Sequence, residues 1–196
     1  MKSHVPFASL EDLLSPEALG ELAAAPVDDV RRIPLSAGHA ASGNPLLAVE
    51  TNGGVGPRFV LKRVSPEWDW IMRATDDRHG RAAVAWSSGL LDRLPPAIEH
   101  GVLACARDGD GWAILMHDLA DTLIPPGDAP IDAADNDAFL TAMAALHAAF
   151  WDEPQAADPA LGFCALPHHY LEFAPAVAER EAGGPDPIPP LIGAGW

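Results

Sequence analysis

The sequence predicts an α+β fold: a five-stranded antiparallel sheet with one packed helix, followed by a helical region. Three observations lead there. Five short runs have the alternating or β-branched apolar character that strands need. Most of their connections are rich in Gly, Ser, Asn and Asp, as hairpin loops require, and one long stretch between the third and fourth runs reads as helix. After Met116 the composition shifts to a Pro/Asp-rich link and then a strongly apolar helix.

The chain starts with helix signals. Ser9 followed by Asp12 is a capping-box pattern, and Ser15-Pro16-Glu17 repeats the start with Pro at the first helical position. Leu19, Leu22 and Ala23 give one apolar face, and Pro26 ends it. This lead-in, residues 1–27, is expected to cover a sheet edge. The sheet region is residues 28–119. Its strands are predicted at Val30–Leu35, Leu46–Thr51, Arg58–Val64, Gly101–Ala106 and Gly111–Met116. RFVLKRV, the third, alternates most clearly, and Asp and Gly at 108–110 mark the last hairpin turn. Ser65-Pro66 opens the helix between the third and fourth strands, and Pro95-Pro96 closes it. Residues 120–136 read as a linker. In 137–151, Phe139, Met143, Leu146 and Phe150 fall on one helical face, and His147 is expected to pack among apolar neighbours. The proline-rich remainder offers one short helix near Tyr170–Arg180.

Charge narrows the function classes. Twelve Lys and Arg stand against 28 Asp and Glu, a formal net charge of −16. A broad basic surface is therefore absent, which excludes duplex nucleic acid and anionic lipid as partners. Cys105 and Cys164 form no CxxC and join no Cys/His cluster, so a zinc knuckle and a disulfide scaffold are excluded. The N-terminus has no continuous apolar segment of signal-peptide type, which points to a cytoplasmic chain. The apolar run Ala138–Trp151 is too short to span a bilayer.

Three strands, a helix and two strands, with a lone lysine on the third strand, carry a resemblance. RFVLKRV, SSGLLDRLP at the end of the helix, GDGWAILMHDL at the fifth strand, and LTAMAALHAAFW resemble the aminoglycoside phosphotransferase family over roughly residues 28–196. The resemblance implies a protein-kinase-like N-lobe, and then the first helices of a truncated helical C-lobe at 137–196. It implies ATP and Mg²⁺ as cofactors, a nucleotide as ligand, and a small-molecule hydroxyl as phosphoryl acceptor. By the same resemblance Lys62 would offset the charge of the α- and β-phosphates. The loop Ser36–Asn44, with Gly38, Ser42 and Gly43, would cover the phosphates with backbone N–H groups. Met116, His117 and Leu119 would form the hinge that holds adenine through the main chain.

Two parts of the family pattern are missing. The position matching the acid that pairs with the lysine is Ala82, and Glu67, Asp69, Asp76 and Asp77 are the substitutes in reach. No His-Gly-Asp and no His-x-Asp occurs, and His168-His169 is no match. No catalytic residue and no metal ligand is therefore assigned. The chain reads either as the nucleotide-binding fragment of a phosphotransferase, inactive alone, or as a non-catalytic, pseudokinase-like interaction or regulatory module.

Overall fold

The computed structural model describes residues 4–35, 42–123, 130–164, 167, 170–182 and 194. It is an α+β fold. Its sheet comprises β1 (Val30–Pro34), β2 (Leu46–Thr51), β3 (Arg58–Val64), β4 (Val102–Asp108) and β5 (Gly111–His117), in the spatial order β1-β2-β3-β5-β4. All neighbours are antiparallel. β2 and β3 have the predicted bounds, β1 and β5 differ by one residue at the end, and β4 starts one residue later and ends two later.

The register decides what each face carries. Val49 pairs with Phe59, and Leu47 with Leu61, which pairs in turn with Leu115. These side chains share one face, and Val49, Leu61 and Leu115 have no exposure at all. They join a core with Leu13 and Leu19 of the lead-in helices α1 (Leu10–Leu13) and α2 (Pro16–Ala23). Fully burying each such side chain stabilises the fold by roughly 1.5–3 kcal/mol. The other face carries Leu46, Ala48, Val60, Lys62 and Met116, all half-buried. One face of β3 is thus sealed, and the face carrying its lysine stays partly open.

The lead-in starts where its signals stand. Ser9 Oγ accepts from the Asp12 N–H and Ser15 Oγ from the Ala18 N–H, so two serines satisfy amides that a helix leaves free. Ahead of α1, Phe7 exchanges backbone hydrogen bonds with β4: its N–H donates to Cys105 O, and its O accepts from the Arg107 N–H. The lead-in therefore does cover a sheet edge, that of β4.

Between β3 and β4 the sequence suggested one packed helix, and the structure has two short ones, α3 (Trp70–Ala74) and α4 (Arg81–Ser87). The break is local. Asp76 takes a left-handed φ of 51°, and the Asp77 carboxylate accepts from the N–H groups of Gly80 and Arg81, which begins a new helix. The long helix α5 spans Ala133–Ala149, four residues earlier at its start than the sequence implied. Asp132 caps it by accepting from the Asp135 N–H. His147 is exposed on α5, not packed as expected, because apolar side chains on this helix meet few neighbours. A further helix, α6, is Pro175–Ala182, preceded by a 3₁₀ turn at Tyr170–Phe173. α6 docks on α3 through Val177 against Trp70 and Ala74, with Arg73 bridging to the buried Glu181 at 2.7 Å.

Candidate functional site

Lys62 sits in the middle of β3, between Leu46 of β2 and Ile114 of β5. Alternation sets its side chain on the open face with Ala48, Val60 and Met116. It is half-buried, and among the described residues it has no ion pair and no hydrogen bond.

The acid beside it is Asp69, one of the four the sequence left open. Asp69 is only 4% exposed. It is the N-cap of α3: its Oδ1 accepts from the N–H groups of Ile71 at 2.9 Å and Met72 at 3.1 Å. Its Oδ2 accepts from Asn44 Nδ2 at 2.6 Å. Burial pushes the Asp69 carboxyl above its ordinary range, and donation by Met72, Asn44 and Ile71, together with the charge of Lys62, pulls the other way. Glu67 and Asp76 are exposed, Asp76 is paired with Arg78, and Asp77 is committed to the start of α4. Ala82 is exposed on α4. The acid that feels the charge of Lys62 therefore comes from a helix cap five residues after β3, a position that composition and spacing did not single out.

Asn44 joins the preceding loop to this cluster. Its Nδ2 also donates to Ser42 Oγ at 2.8 Å, and its buried Oδ1 has no partner. Gly43 takes φ 74°, and a Cβ there would face Trp68 O at 3.8 Å, so residues 42–44 lie against the segment that leads into α3. Lys62, Ser42, Gly43 and Met116 are thus brought to one side of the sheet, and Asp69 and Asn44 are added to them. Gly38 lies outside the described residues, as do His168 and His169.

The remaining hinge residues are placed differently. His117 pairs with Phe59, so its side chain projects from the face opposite Lys62, and its N–H is spent on Gly101 O at 2.8 Å. Leu119 packs toward Gly101, where a Cβ would meet its Cδ1 at 3.2 Å. Both border a separate cavity of about 530 Å³ with Glu99, His100 and Thr122. Side chains of His117 and Leu119 are therefore not part of the Lys62 cluster.

Cys105 is fully buried on the Lys62 face, opposite Ile114, and burial pushes its thiol up to about 12, so it stays protonated and inert at neutral pH. Comparison with protein-family models, with curated proteins and with solved structures returned no match.

Proposed function

We propose that this chain provides the nucleotide-binding part of a kinase-like, ATP-dependent small-molecule phosphotransferase. One observation carries the reading: a lysine with no partner among the described residues, in the centre of a β1-β2-β3-β5-β4 antiparallel sheet, on the open face, with a buried carboxylate close enough to feel its charge. Lysine is a point charge with three donors, and an adjacent carboxylate limits where the ammonium points. The half-buried surface of Ala48, Val60 and Met116 beside it offers an apolar platform for a planar base. Lys62 would meet the phosphates, and the amides of residues 42–44 lie on the same side.

The residues present fit a nucleotide's phosphates and do not assign a divalent cation. Among the described residues no three His, Cys, Asp or Glu side chains are grouped to hold a metal ion, and no step is routed through one. No His-Gly-Asp or His-x-Asp supplies a base for an acceptor hydroxyl in this sequence. The expected behaviour is nucleotide binding without phosphoryl transfer.

Calorimetric titration with a non-hydrolysable ATP analogue tests this. The wild type binds, and Lys62→Ala weakens binding by about tenfold or more while the circular dichroism spectrum is retained. Equal affinity in wild type and Lys62→Ala removes Lys62 from the site and with it the reading.

A further inference from the structure

A second cavity, of about 400 Å³, opens between α4 and the β4–β5 hairpin. Its floor is Trp112 with Val84 and Leu161. Its polar wall is Arg78, His79 and Arg107, with Ser87 and Ser88 at the α4 side, and among the described residues no carboxylate lines it. In a chain of net charge −16 that is an unusual local balance.

Arg107 stands out from the other arginines. Of the ten in the chain, eight meet a carboxylate: Arg31, Arg58, Arg63, Arg73, Arg78, Arg81, Arg93 and Arg180. Arg32 and Arg107 meet none among the described residues. Arg107 instead lies flat on the Trp112 ring, its Cζ 3.8 Å from the centroid. Stacking orients a guanidinium without using its in-plane donors, so all five N–H groups remain available.

The stacking surface is itself fixed. Trp112 is 7% exposed, and its Nε1 donates to His79 O at 2.8 Å. Gly80 presses on the ring so closely that a Cβ there would fall 2.3 Å from Cδ1. The indole is thus held by a hydrogen bond and a close backbone contact, and the exposed Arg107 stacks on a fixed surface. Preorganisation of this kind lowers the ordering cost of binding.

We propose that this cavity binds the phosphate group of a small phosphomonoester, with Arg107 as its anchor. A phosphate dianion accepts two parallel hydrogen bonds from the Arg107 fork and has a third oxygen left for His79 or Arg78. Arg78 is mostly exposed and already pairs with Asp76 at 2.7 Å, so it serves as the rim of the cavity. Val84, Leu161 and the Trp112 edge receive the apolar body of the ester. The assignment does not rest on the nucleotide reading, since Lys62 lines no part of this cavity.

Nuclear magnetic resonance of the ¹⁵N-labelled chain tests it, with phenyl phosphate as probe and inorganic phosphate and benzoate as further arms. The expected result is a saturable shift of the Trp112 indole N–H and of the backbone signals of His79 and Arg107, larger for phenyl phosphate than for benzoate at equal concentration. Arg107→Gln weakens phenyl phosphate by about tenfold or more. Arg32→Gln removes the same charge elsewhere and leaves the affinity unchanged. No shift at Trp112 up to millimolar phenyl phosphate overturns the proposal, and that reading needs no variant to fold. Equal binding by Arg107→Gln, or an equal loss in Arg32→Gln, overturns it also. Benzoate binding as tightly as phenyl phosphate overturns the phosphate assignment.

Discussion

Asp69 accepts hydrogen bonds from Ile71, Met72 and Asn44 while it feels the charge of Lys62, so one carboxylate both starts a helix and belongs to the candidate site. The two duties separate by substitution. Asp69→Ala removes the cap and leaves the buried Asn44 amide short of a partner, a cost of about 1–3 kcal/mol. Asp69→Asn keeps an oxygen for the Ile71 and Met72 amides. The Asn44 amide then turns so that its partnerless Oδ1 meets the new amide group. Urea denaturation is expected to show Asp69→Asn within about 1 kcal/mol of wild type, with nucleotide-analogue binding lost in both variants. Retained binding by Asp69→Asn would show that Lys62 acts without this charge.

At the scale of elements, α6 depends on the buried Glu181. Burial raises the cost of its charge, yet donation from Arg73 and Arg180 outweighs that and holds the carboxyl below its ordinary range. The unfolded chain therefore takes up its proton at higher pH than the folded one does. The stabilisation is complete above the ordinary carboxylate range and disappears as pH falls through the lowered folded value. Hydrogen exchange should show protection of residues 175–182 falling on acidification before that of β3 and β5. Glu181→Gln should show weak protection already at neutral pH and little further change. Equal acid sensitivity in Glu181→Gln would place the sensitivity in another group.

At the scale of the whole molecule, α5 presents Phe139, Leu140 and Met143 at 48%, 55% and 53% exposure, with Trp151 beyond it at 77%. A contiguous apolar surface of this kind favours association. The net charge of −16 opposes it at low ionic strength, where repulsion between chains is least screened. Sedimentation is expected to show mainly monomer in dilute buffer and growing association as salt rises. Phe139→Ser with Met143→Ser should hold the chain monomeric at high salt. Association unchanged in that double variant would locate the contact away from α5.

The sheet was legible in the sequence because strand signals are local. Alternation in RFVLKRV fixed its two faces, Gly and Asp marked the 108–110 turn, and Ser9 and Ser15 announced their helices by side chains that cap within three residues. Lys62, one of the chain's two lysines, stood out on the best-defined strand. What lies beyond local signals was decided only in three dimensions. Of four nearby acids, Asp69 is the one buried within reach of the Lys62 charge, held there by a bond from Asn44 across a separation of 25 residues. The pairing of β3 with β5 put the His117 side chain on the face away from Lys62 and kept Met116 beside it, which only the register between the two strands decides. The Arg107–Trp112 stack depends on register between β4 and β5 and on the close approach of Gly80, neither of which any run of residues encodes by itself. Alternation and capping act within a few residues and can be read along the chain, whereas burial, charge coupling and shape depend on segments that meet only after folding.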